Sequence, residues 1–130
     1  RGLSLDEKDL LKRLEEMFGA RDDLADHLPR FLGSVSKREI VLRMLRNLKM
    51  IFVKEKRHDR ALGASNKLCL LAPGLAEEYR DRAAIYEELD CFTAAAVDYR
   101  QYLELSPAAS DVLEVKQRLM ALDKQASRLN

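Results

Sequence analysis

Tryptophan is absent from the 130 residues, and glycine (5), proline (3) and cysteine (2) are scarce. Valine, isoleucine and threonine together number only 10. With so few β-branched and turn-forming residues there is little from which to build a sheet, which excludes an all-β sandwich or a doubly wound sheet. No apolar run approaches the roughly eighteen residues of a membrane span, and no basic-then-apolar leader stands at the start, so a cytoplasmic location is expected. Residue 1 is arginine rather than methionine, so a piece trimmed at its N-terminus is also expected. The two cysteines, Cys69 and Cys91, read as reduced thiols, with Cys69 inert among Leu68, Leu70 and Leu71. The two histidines, His27 and His58, have no Cys, His, Asp or Glu at a spacing that closes a four-ligand metal site, and phosphate-cradling Gly-rich loops are missing. Neither a metal nor a cofactor is expected.

What is abundant is leucine (23), alanine (15) and charge, with 35% of residues Asp, Glu, Lys or Arg. That is the composition of an all-α protein, and the length suits one domain. An internal repeat gives the helices an order. Setting Pro73 over Pro107, an offset of 34 residues, brings Leu45 over Tyr79, Phe52 over Tyr86, Ala61 over Ala95, Leu68 over Tyr102 and Leu71 over Leu105. Each match has a physical reason. Leu45, Leu48 and Phe52 share one stripe of a 3.6-residue helix, and Ala61 and Ala95 are small enough to let two helices cross closely. Pro73 and Pro107 end the second helix of each unit.

The period and residue types resemble the tetratricopeptide repeat, in which each unit is an antiparallel helix pair and successive units stack into a right-handed superhelix. Helices are expected at about 37–55, 59–71, 76–89 and 93–105, with repeats at about 42–75 and 76–109. A capping helix follows at about 110–129, its apolar stripe Val112, Val115, Leu119 and Leu122. Ser36 and Glu39 read as a capping box opening the first long helix. Upstream, residues 1–35 are expected to be a helical cap or connector, with helices at 4–18, capped by Ser4 and Glu7, and at 22–28. The repeat domain then covers 36–130. Two departures from the generic repeat stand out. Lys49 occupies a position that favours a small residue, and Lys56 and Asp90 stand in the intra-repeat turns where glycine is preferred.

Charge is uneven. Residues 37–60 hold nine Lys/Arg and three acids, whereas residues 76–100 hold three Lys/Arg and seven acids, and the chain as a whole is +1. In the tetratricopeptide architecture the first helix of each repeat lines the concave surface. Transferred position by position, that surface comprises Arg43, Arg46, Asn47, Met50, Val53 and Lys54, then Glu77, Arg80, Asp81, Ala84, Glu87 and Glu88. The candidate protein-binding groove is thus Arg43, Arg46, Asn47, Met50, Lys54, Arg80, Asp81, Ala84 and Glu87. A basic wall beside an acidic one favours a partner carrying both signs. The same charges read equally as solvated faces and intramolecular ion pairs, each worth about 0–1 kcal/mol. A nucleic-acid adaptor lacks the aromatic-basic interleaving such a site wants. Catalysis finds no support either: Cys91 and His58 fall at turns on one edge, but nothing implies an oxyanion hole or pocket. Binding of a chaperone tail is disfavoured, because that clamp wants Lys and Asn where this chain has Arg46, Met50 and Asp81.

A narrower resemblance rests on Arg43-Met44-Leu45-Arg46-Asn47-Leu48-Lys49, Tyr79-Arg80-Asp81-Arg82-Ala83 and Asp98-Tyr99-Arg100-Gln101-Tyr102-Leu103. These segments look like the C-terminal part of bacterial SirB-type transglutaminase-like proteins. The resemblance runs from about Leu24 to Leu122, and Lys49 fits its pattern. It implies a non-catalytic accessory or docking domain whose papain/transglutaminase-like partner domain lies upstream, with no catalytic residue to carry over onto this chain. Arg43, Asn47, Lys49 and Arg80-Asp81-Arg82 would then be either a docking surface or an internal polar network. The alternatives are a stand-alone peptide-binding adaptor or co-chaperone-like scaffold, and a regulatory part of a papain-like cysteine hydrolase or acyltransferase.

Overall fold

The computed structural model describes residues 35–129 together with Lys12, and the helices and capping box expected within residues 1–34 lie outside that range but for this one residue. Among the described residues five helices follow one another: α1 (Val35–Lys54), α2 (His58–Leu71), α3 (Ala76–Glu88), α4 (Phe92–Leu105) and α5 (Val112–Leu129). Among the described residues there is no strand. The all-α helical-repeat class is therefore what the chain adopts, with helix limits within two residues of those expected from spacing. One local expectation is corrected. Backbone helix is already present at Val35, so Ser36 sits inside α1 rather than capping it. A serine is tolerated in a first turn, whose amides have no intrahelical acceptor, and its spacing to Glu39 does not by itself choose the boundary.

The repeat extends to single dihedral angles. α2 and α4 are both 14 residues long and begin 34 positions apart. Their preceding residues, Arg57 (φ −93°, ψ 69°) and Cys91 (φ −94°, ψ 72°), adopt the same conformation. So do Ala72 (φ −134°, ψ 67°) and Ser106 (φ −135°, ψ 65°), which precede Pro73 and Pro107 and are driven out of the helical region by the proline ring. The turns match as well. Arg57 N donates to Phe52 O at 2.8 Å, and Cys91 N donates to Tyr86 O at 2.9 Å.

At the apex of these turns Lys56 (φ 59°) and Asp90 (φ 57°) are left-handed. This conformation crowds a Cβ, which explains why the generic repeat prefers glycine there. Asp tolerates it better than Lys because its short side chain bonds locally. Lys56→Gly should therefore raise stability by about 1 kcal/mol, and Asp90→Gly by less. Urea midpoints of the two variants test this, and no gain for Lys56→Gly contradicts it.

Packing divides the chain into two units, Arg1–Asn47 and Leu48–Asn130, and α1 runs through the division. In the first, Val41, Met44 and Leu45 are buried at helical spacing, while Arg43 and Asn47 are exposed and Arg46 is half-buried. In the second, α2 packs on α3, α3 on α4 and α4 on α5. Its core joins Ala76, Ala83, Ala95, Ala96, Tyr99, Tyr102, Val115 and Leu122, with Tyr79, Tyr86, Phe92 and Leu119 packed against it. Ala61 and Ala95 are fully buried, as close helix crossing requires. Val115 and Leu122 bring α5 into this core, against α4.

Candidate binding groove

Within Leu48–Asn130 the first helices of successive repeats leave two neighbouring cavities. The first, about 530 Å³, is lined by Lys49, Met50 and Val53 of α1, Lys56 in the following turn, His58 of α2, and Asp81, Ala84, Ile85 and Glu88 of α3. The second, about 280 Å³, is lined by Arg80, Asp81 and Ala84 of α3, Tyr99 of α4, and Asp111, Glu114, Val115 and Arg118 at the start of and along α5. Asp81 and Ala84 belong to both, so the cavities are consecutive steps of one groove. The larger lies within the ~300–1,000 Å³ range typical of ligand pockets. Its apolar wall is open, with Met50 62% and Val53 38% exposed.

Charged residues around the groove fall into two kinds. Some brace the scaffold. Lys49, 4% exposed, donates to Glu78 at 2.8 Å and to Asp81 at 2.7 Å. Burial opposes its charge, but the hydrogen bonds to Asp81 and Glu78 prevail and raise its pKa. Arg82 grips Asp98 through two parallel bonds, 2.7 and 2.8 Å, and reaches Asn66 at 3.2 Å. Its guanidinium also lies over the rings of Tyr79 and Tyr86 at 5.6 and 5.9 Å. Arg80 bonds Asp111 at 3.3 Å and lies over Tyr102 at 5.4 Å. Tyr102 donates to Asp111, which raises the phenol and lowers the carboxyl. Glu87 accepts from Tyr99 at 2.5 Å and pairs with Arg118. Burial, then this bond, pushes Tyr99 up. Others face solvent. Lys56 and Glu114 have no side-chain partner among the described residues, and Glu88 has only His58 Nε2 at 3.9 Å.

Of the nine residues expected in the groove, Met50, Arg80, Asp81 and Ala84 line these cavities. Glu87 stands behind the second, holding Arg118, and Lys54 is exposed but lines neither. Arg43, Arg46 and Asn47 belong to the other unit, and both arginines have interaction partners. Arg80 and Arg82 form no common basic cluster, because Arg80 turns to Asp111 and Arg82 to Asp98.

Sequence reasoning missed Glu114, Val115 and Arg118. The signal was present: they lie 34 residues after Arg80, Asp81 and Ala84, so α5 repeats the first-helix register for a third time. Lys56 and His58 were noted as turn residues but not as lining.

Cys69 is buried, and burial pushes its thiol up to about 11. Among the described residues no three His, Cys, Asp or Glu converge on a possible metal position, and no helix is long and apolar enough to cross a membrane.

Comparison with known proteins places this geometry in context. A UPF0162 protein of Xylella fastidiosa (strain Temecula1 / ATCC 700964) is 32% identical over 126 residues, covering 95% of this chain and 44% of that protein. A UPF0162 protein of Vibrio cholerae is 30% identical over 113 residues, covering 85% of this chain and 42% of its own length. The chain thus spans less than half the length of these curated relatives. A DnaJ protein of Oryza sativa subsp. japonica is 36% identical over 67 residues, covering 51% of this chain but only 14% of the plant protein. No solved structure matches. The family model described as tetratricopeptide repeat matches residues 48–120, the stretch that carries both cavities. Matched hairpins, proline-terminated second helices, left-handed turns and this family match together make the chain a member of the tetratricopeptide repeat family.

Proposed function

We propose that this chain is a non-catalytic protein-binding module, the C-terminal docking domain of a larger transglutaminase-like bacterial protein, and that it holds an extended protein segment in the groove of α1, α3 and α5. The observation that carries the groove is the cavity of about 530 Å³ with Met50 and Val53 exposed on its wall. An open apolar wall rimmed by polar groups is how a protein surface takes a partner side chain. The larger-protein part is supported by the RMLRNLK and YRDRA segments, and by relatives of which this chain accounts for 44% or less. Similarity to the plant DnaJ protein is confined to 14% of its length and supports a common scaffold, not a common partner.

The test starts upstream of Arg1. The coding frame should encode a cysteine followed by histidine and aspartate in papain-like order, and that segment, made separately, should be captured by the 130-residue chain. Ala84→Arg, which fills the shared point of the two cavities from an exposed position, should cut capture at least about tenfold with circular dichroism unchanged. A frame that begins at or just before Arg1 overturns the docking-domain assignment. Capture unaffected by Ala84→Arg overturns the groove.

A further inference from the structure

Resting on the groove as binding surface, we infer that its occupant is a basic segment: an extended peptide that seats one aliphatic side chain in the first cavity and presents lysine or arginine to Glu88 and Glu114. The cavity lining carries cations Lys49, Lys56, Arg80 and Arg118 and carboxylates Asp81, Glu88, Asp111 and Glu114, which alone would be neutral. Two of those cations, however, already face carboxylates outside the lining. Lys49 is held by Glu78, and Arg118 by Glu87. The groove surface therefore carries an excess of negative charge, although α1 and the turn after it form the most basic stretch of the chain.

The carboxylates left over are placed to be read. Glu88 is 65% exposed at the rim of the first cavity, and Glu114 is exposed at the second. Against them, among the described residues that line the groove, stands Lys56, a cation without a side-chain partner. The apolar requirement comes from Met50, Val53, Ala84 and Ile85, which form the wall of the first cavity beside Glu88. Complementary potential at such a rim sets partner choice and on-rate, and it weakens with salt.

Selection from random displayed peptides of about seven residues, roughly 24 Å when extended, tests this on the 130-residue chain. Enriched peptides should combine an aliphatic residue with at least one lysine or arginine. The Glu88→Lys/Glu114→Lys double variant should weaken the best of them about tenfold and select acidic peptides instead. Lys56→Glu should strengthen the same peptide. Enrichment of acidic or uncharged sequences, indifference to the double reversal, or no enrichment at all overturns the inference. The Ala84→Arg variant separates this from the groove assignment. A peptide blocked by Ala84→Arg yet indifferent to charge reversal sinks the basic-segment inference alone, whereas one indifferent to Ala84→Arg sinks the groove itself.

Discussion

Replacing Lys49 with methionine is expected to lower the unfolding free energy by about 3–5 kcal/mol, the cost of removing two charge-assisted hydrogen bonds, one of them to a buried carboxylate partner. Glu78 is that partner, with its side chain only 6% exposed, whereas Asp81 at 35% can turn to water. The loss is therefore assigned to Glu78. Methionine fills much of the lysine's volume, so a cavity adds little. Replacing both members, Lys49→Met with Glu78→Met, should recover at least half of the loss, because a buried ion pair exchanged for apolar groups of similar volume is often close to neutral. Urea denaturation of the three proteins measures this, and a single-variant loss under about 1 kcal/mol would contradict it. A pH signature follows from the same pair. The pKa of Lys49 is raised above 10.5 by folding. Its contribution is thus complete below 10.5 and is lost as pH rises through the folded value, so parent and variant melting curves should converge only in strong alkali.

Arg82→Ala is expected to cost about as much, again about 3–5 kcal/mol, because Asp98 is only 4% exposed and loses both of its short bonds. Stacking over Tyr79 and Tyr86 goes with it. Arg82→Lys keeps the charge but not the planar fork, so it should recover only part of the loss, leaving about 2 kcal/mol. Thermal melts rank the three forms parent, Lys, Ala. Equal stability of Lys and Arg at this position would show that charge alone holds Asp98.

Much of the scaffold was legible because the repeat writes it twice. Pro73 and Pro107, Ala61 and Ala95, and the turn residues Lys56 and Asp90 each announce a backbone event that depends on local sterics, and each occurs where spacing put it. Lys49 was legible as an oddity of the generic repeat and as one member of a docking surface or internal polar network, without its partners. What makes it tolerable is a pair of carboxylates, Glu78 and Asp81, 29 and 32 residues away, and no local rule connects them. The groove's charge was hard to read for the same reason. A stretch rich in Lys and Arg reads as a basic wall, yet Lys49 is held by Glu78 and Asp81, and Glu88 and Glu114 are exposed beside Lys56. The third step of the groove was missed at Glu114, Val115 and Arg118 because α5 was treated as a cap, although these three lie 34 residues after Arg80, Asp81 and Ala84.

Bracing charges and the proposed binding surface thus lie two residues apart on α3, with Arg82 turned to Asp98 and Ala84 exposed in the groove. The most direct measurement compares partner capture and stability of Ala84→Arg with those of the parent. The expected result is capture reduced at least about tenfold with unfolding free energy within about 0.5 kcal/mol of the parent, as for a surface substitution. Capture at the parent's level in a folded Ala84→Arg protein would contradict the groove as the surface this module uses.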